Sequence, residues 1–181
     1  LATAEWHALN NRIEANCAFV PVRGAVVCRN PDEVDVVITD AERWMSVVSE
    51  DAGIIYLVGL CWRYKGEDAK AQTHWERATR SDPDYRAPWY DLGELYLANQ
   101  SLDKARVAFE HVTRLSPDGP TAWIGPWRLA EVAAAQQRPD DFEAHMRTAL
   151  QHGFTFERIQ GTPNWKAYLA DPVMHDSVQQ L

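Results

Sequence analysis

The sequence predicts an all-α fold, an α-solenoid of antiparallel helix pairs stacked in chain order. Three observations predict it. First, the chain matches itself when shifted by 34 residues: Ile55, Val58, Gly59 and Trp62 fall on Trp89, Leu92, Gly93 and Tyr96, and Ala71, Trp75, Ala78 and Pro83 fall on Ala105, Phe109, Val112 and Pro117. A period of this length marks an array of helical hairpins, each too small to bury its own apolar face. Second, the residues between the matched positions repeat their apolar members every three or four places, the period of a helix rather than a strand. Third, Asp82-Pro83 and Ser116-Pro117 interrupt the chain at the same point in successive copies.

The elements follow in order. Residues 1–30 are an N-terminal segment, partly irregular. Ala2-Thr3-Ala4 has the small-x-small pattern of an export-signal cleavage site and is read as a remnant at 1–4. A periplasmic or exported location follows from that reading, and a cytoplasmic one if the start is arbitrary. A helix is expected near Ala4 to Ala15. Cys17 and Cys28 lie close together in a stretch without helical period. In an exported protein they would be joined, leaving Cys61 buried; in a reducing compartment all three would pack as small apolar groups.

Residues 31–51 are a leading capping helix. Asn30 is its N-cap, Pro31 its first residue, and Asp32 and Glu33 favour its positive end. Val37, Ala41, Trp44 and Val48 form its apolar face. Three helix pairs come next, at 52–85, 86–119 and 120–153. Ile54–Tyr64 and Asp68–Thr79 make the first, turning at Lys65-Gly66. Pro88–Ala98 and Leu102–Leu115 make the second, turning at Asn99-Gln100, with Ser101 as an N-cap.

The third pair is degraded. Leu129-Ala130 stand at the Leu-Gly places, Ala133 at the Tyr place, Phe142 at a place that wants a small residue, Met146 at the Phe place and Ala149 at the place of Ala78. This register needs about three extra residues near Gly119-Pro120-Thr121. Gly153 ends the array. Residues 154–181 cap it with short helices, two of them in Asn164–Leu181, split at Asp171-Pro172.

The run Trp89, Leu92-Gly93, Tyr96, Ala105, Phe109, Val112 and Pro117 resembles the tetratricopeptide repeat family, with Val112 where the family has alanine. The resemblance is strong over 52–117 and extends weakly to 181, where the Asp-Pro-split tail is similar to the ends of bacterial arrays. It implies a right-handed superhelix in which Gly93 and Ala105 let two helices approach closely while Trp89, Tyr96 and Phe109 fill the volume around them. It also implies a concave groove lined by the first helix of each pair. The partner-binding residues it assigns are Tyr56, Leu60, Arg63 and Tyr64, then Tyr90, Asp91, Glu94 and Leu97, then Trp127, Arg128 and Glu131.

Tyr56, Tyr90 and Trp127 recur at one place, an aromatic ladder of the kind that anchors partners. One subfamily grips terminal carboxylates with Lys and Asn. Here Tyr56, Leu60 and Asp91 occupy those places and only Arg128 fits, so a strongly acidic ligand is not expected. The alternative occupant of the groove is the chain's own apolar stretch Phe19–Val27.

Composition narrows the function. The 26 acidic residues outnumber the 18 basic ones, a formal charge of −8, which excludes a general nucleic-acid or anionic-membrane binder. No apolar run reaches the length of about 18 residues that a membrane span needs. There is no GxSxG, P-loop, GxGxxG or HExxH motif. The pairs Glu67-Asp68 and Asp140-Asp141 sit at helix starts, where the dipole accounts for them. His74 and His145 occupy equivalent places two pairs apart, too far to share a metal, and His111 is out of phase with both.

No catalytic residue, metal or cofactor is therefore expected. The expected function is a non-catalytic protein–protein interaction module or scaffold subunit of a larger assembly, such as one at the cell envelope, binding a peptide, helix or protein. The alternatives are the recognition or regulatory part of an enzyme whose catalytic part lies on another segment or chain, and a self-associating structural protein.

Overall fold

The computed structural model describes residues 17–20, 25–28, 30–47 and 51–158, with positions 4, 7, 8, 11, 12, 15, 166, 167 and 170–172. The export-site pattern at Ala2-Thr3-Ala4 therefore lies mostly outside the described residues, as do Val48 and most of Asn164–Leu181. The chain divides into two compact units, 1–88 and 89–181.

In the first unit, the stretch read as irregular is a β-hairpin. Strand β1 (Cys17–Val20) pairs antiparallel with β2 (Ala25–Cys28), and Cys17 stands opposite Cys28 at its open end. Phe19, Val20, Val26 and Val27 are aromatic or β-branched, residues that favour a pleated surface. A lack of helical period is thus a strand signal as much as a loop signal. The remaining described architecture is helical. Positions 4, 7, 8, 11, 12 and 15 are helical too, and Arg12 reaches from there to α1 (Pro31–Val47). Its guanidinium donates to Glu33 Oε1 at 2.6 Å and to Asp40 Oδ2 at 2.8 Å, two carboxylates seven residues apart on one helix face. Asn30 caps α1, its Oδ1 accepting from Asp32 N at 3.2 Å.

Helix α2 (Ala52–Tyr64) follows, capped by Asp51, whose Oδ1 accepts from Ile54 N at 3.0 Å. Val34, Val37, Ile38 and Ala41 of α1 close on Ile54, Leu57, Val58 and Cys61 of α2. On its other side α2 meets α3 (Asp68–Ser81) at Gly59, where an added Cβ would lie 2.3 Å from Trp75 Nε1. Trp75 is buried there, donating to the Tyr56 carbonyl at 3.3 Å. Burial pushes the Cys61 thiol up to about 12, so it stays protonated and inert. Strand β2 also contacts α2.

Helix α4 (Arg86–Ala98) begins in the last residues of the first unit and belongs mainly to the second. It is followed by α5 (Leu102–Leu115), α6 (Ile124–Ala135), α7 (Pro139–Gln151) and a 3₁₀ turn at Phe156–Arg158. Gly93 repeats the arrangement of Gly59: an added Cβ would lie 2.4 Å from Phe109 Cε1. Helix α6 approaches α5 at Gly125, where a Cβ would meet Thr113 Oγ1 at 2.3 Å and Thr113 N at 2.8 Å.

The degraded third pair forms all the same. Phe142 is buried at the place that wants a small residue because the facing helix carries alanines at 130, 133 and 134. Large and small have changed sides, and the volume is conserved.

Three turns inside the helix pairs are built alike. Gly66, Gln100 and Gln137 have left-handed φ of 75°, 58° and 57°. In each, the next residue's N–H reaches back five places: Glu67 to Trp62, Ser101 to Tyr96, Arg138 to Ala133. This is the Schellman closure. Ser101 does occupy the N-cap position of α5, as read, but its side chain does not cap. No side-chain capping bond forms, since Ser101 sits at φ −84°, ψ 62° with its N–H engaged in closing α4. Gly153 ends α7 with the same motif, Phe154 N donating to the Ala149 carbonyl at 3.0 Å.

Candidate interaction surface

Within the second unit the structure gathers four of the residues assigned to a groove around a fifth, the cation Arg128. Arg128, on α6, donates through Nη1 to Glu131 one turn along its own helix and through Nη2 to Glu94 on α4. The same Nη2 donates to the Tyr90 hydroxyl at 3.1 Å. The guanidinium lies over the Trp127 ring at 4.1 Å from its centroid and over the Tyr90 ring at 5.7 Å, both cation–π distances. Trp127 stacks on Phe154 at 5.8 Å with 23° between planes and stands beside Trp123, whose indole N–H donates to the Pro120 carbonyl at 2.9 Å. Tyr90 is braced edge-on by Phe109 at 6.2 Å, the ring that fills the space left by Gly93. The close approach of α4 and α5 thus sets where Tyr90 stands.

Burial is uneven across the cluster. Side-chain exposure is 9% for Glu131, 14% for Arg128 and 35% for Glu94. Asp91 and Leu97 are half-buried on the same helix as Glu94. Glu94 Oε1 and Arg128 Nε are each buried without a hydrogen-bond partner among the described residues, an arrangement that native interiors seldom leave in place. Desolvation pushes the Glu94 carboxyl up to about 7; Arg128 opposes the rise, while Glu131 and Asp91 add to it. Burial likewise raises the Tyr90 phenol. Arg128 itself is raised despite its burial, because Glu131 and Glu94 hold its charge. The site is a buried cation ringed by more carboxylates than it can neutralise.

The sign of the pH dependence follows. Folded Glu94 keeps its proton where the unfolded chain would release it, so stability is full below the ordinary carboxylate value of about 4.3. It falls as the pH rises through about 7. His145, whose imidazolium is disfavoured chiefly by burial, acts in the opposite sense. Comparison with Glu94→Gln isolates the carboxylate. Urea unfolding at pH 5 and pH 8 is expected to show wild type losing more stability than the variant over that interval; equal losses would refute the assignment.

In the first unit the assigned residues share one stripe of α2 but meet different partners. Tyr56 packs against Tyr85 at 5.4 Å, edge to face, and lies 6.4 Å from Trp75. Leu60 and Tyr64 pack on the α1–α2 core, and exposed Arg63 pairs with Asp68. Leu60 and Tyr64 are half-buried, each keeping part of its surface in solvent. His111, outside the assigned set, stacks on Trp89 at 3.9 Å with 4° between planes. The sequence signal for the Arg128 cluster is the i,i+3 spacing of Arg128 and Glu131 on one helix. No local spacing points to Glu94, which comes from the preceding pair.

Comparison with known proteins matches this frame. A family model for the tetratricopeptide repeat matches residues 63–120. Tetratricopeptide repeat protein 37 of Xenopus laevis is 28% identical over 105 residues, 58% of this chain and 6% of that protein. The chain carries tetratricopeptide-repeat sequence over residues 63–120.

Among solved structures, MamA superposes on this repeat protein with a TM-score of 0.59 at 19% identity, covering 67% of this chain and 68% of that one. A thermophilic repeat protein of Thermus thermophilus superposes with 0.56 at 19% identity, covering 82% and 80%. At such identities the likeness shows the fold, an all-α helical-repeat solenoid. The repeat protein spans only a small part of the curated relative it matches. No helix among its described residues is long and apolar enough to cross a membrane.

Proposed function

We propose that this repeat protein is a non-catalytic interaction module that docks a protein segment on the α4–α6 face of its second unit. The observation that carries the reading is Arg128, held by side chains from two successive first helices beneath the rings of Tyr90 and Trp127. Aromatic and arginine anchors of this kind supply most of the energy at protein interfaces. The surrounding charge chooses the partner. Asp91, Glu94 and Glu131 outnumber Arg128, and a third of the Glu94 side chain reaches solvent. The segment that fits presents a basic side chain or an N–H donor toward Glu94 and an apolar side chain over Trp127.

A displayed peptide library, selected on the whole chain, tests this. Lysine- or arginine-containing peptides are expected to be enriched. Their affinity should fall about tenfold or more with Trp127→Ala, as for an interface hot spot, and several-fold with the half-buried rim change Asp91→Lys. Enriched peptides that bind both variants as tightly as wild type, or that are mainly acidic, would overturn the proposal.

A further inference from the structure

The register of the N-terminal hairpin puts two sulfur-bearing residues opposite one another. The Cα partners run Cys17 with Cys28, Ala18 with Val27, Phe19 with Val26 and Val20 with Ala25. Opposed positions share one face of the ribbon, with Cα atoms about 4.5 or 5.5 Å apart according to whether the pair is hydrogen-bonded. Both separations fall inside the range of about 4.4 to 6.8 Å that a disulfide spans. A register displaced by one residue would put the two positions on opposite faces.

We propose that Cys17 and Cys28 are an oxidation-dependent staple that closes the hairpin. A disulfide-bearing oxidant accepts the two electrons. One cysteine thiolate attacks its S–S bond, releasing one thiol and forming a mixed disulfide. The second thiolate then displaces the other thiol, so that the Sγ–Sγ bond forms as the oxidant's is reduced. The remaining thiol, Cys61, is buried on α2 and stays protonated, so it does not compete.

The hairpin gives the bond leverage. A two-stranded ribbon is marginal by itself. Closing a loop of this length shifts the balance of closed over open chains about a hundredfold by chain entropy alone. Strand β2 also contacts α2, so the staple fixes a segment that already packs on the first helix pair.

The test equilibrates the whole chain with oxidised and reduced glutathione, quenches with acid, and maps the cysteines by mass spectrometry. The expected product is an intramolecular Cys17–Cys28 bond with Cys61 recovered as a thiol. The control variant carries Val27→Cys and Cys28→Val together. It shortens the loop by one residue, so a disordered segment would close it equally well. In the native register its equilibrium constant for closure is expected to fall at least tenfold below wild type. Equal constants for the two chains would overturn the proposal, as would stable glutathione adducts at Cys17 and Cys28, or pairing of either with Cys61.

Discussion

Gly93→Leu is expected to lower the thermal midpoint of this protein by about 10 °C, the counterpart of roughly 3 kcal/mol in a chain of this size. The sign is decided by two opposed effects. Leucine is a better helix former than glycine by up to about 1 kcal/mol. Against that, even the first added carbon would lie 2.4 Å from Phe109 Cε1 and 2.6 Å from its Cζ. Phe109 is fully buried, so its ring has no free volume to move into. The same reasoning makes Gly93→Ala destabilising, although alanine would strengthen an exposed helix.

The diagnostic is a double-mutant cycle. Phe109→Ala alone should cost about 3 to 5 kcal/mol by leaving a cavity. Combined with Gly93→Leu it should cost much less than the sum, since each change relieves the other. Additive losses, or a Gly93→Leu midpoint within about 2 °C of wild type, would show that the glycine is not the contact it is taken to be.

The second large effect is expected at Arg128. Arg128→Met preserves much of the stem's packing on Trp127 but strands Glu131 and Glu94 together. Removing one member of a buried charge group costs about 3 to 5 kcal/mol where the remaining charges are fully enclosed. Here a third of the Glu94 side chain reaches solvent, so about 2 to 3 kcal/mol is the expected loss at pH 7.5.

The loss should shrink as the pH falls toward 5. Without the arginine the Glu94 carboxyl, already near 7, titrates higher still and is neutral over most of that range. Urea titrations of both chains at pH 5, 6.5 and 7.5 measure it. A penalty below about 0.5 kcal/mol at pH 7.5, or one that does not change with pH, would mean that the cluster does not act as a buried ion group.

The helix pairs are legible in the sequence because their determinants are local and repeated. The spacing of Trp, Leu-Gly and Tyr, and the Asp-Pro and Ser-Pro breaks, each encode one decision of the backbone. The third pair shows why pattern matching weakens without the fold failing. Phe142 violates the small-residue place, but alanines at 130, 133 and 134 on the facing helix make up the volume, a compensation visible only once the two helices are known to face each other.

Helical period alone misses the hairpin in Phe19–Val27; its β-branched content is the signal that period ignores. Ser101 holds the N-cap position without a side-chain bond because its N–H also closes the preceding helix. Which of the residues assigned to the groove touch one another is not legible in the sequence. Leu60 and Tyr64 lean partly on the α1–α2 core, while Glu94 and Arg128, from separate pairs, meet only through packing.

The spacing of the glycines and rings has an evolutionary corollary. Sixteen residues separate Gly59 from Trp75, Gly93 from Phe109 and Ala130 from Met146, whereas the left-handed turn residues Gly66, Gln100 and Gln137 stand 34 and then 37 apart. The extra length is lodged in the connector before α6. Lineages descending from such a chain can lengthen or shorten their connectors freely. A single residue gained or lost at a turn such as Asn99-Gln100 rotates every later side chain of that pair by about 100°, and the ring no longer finds its glycine. Insertions and deletions should therefore be inherited between hairpins and purged within them.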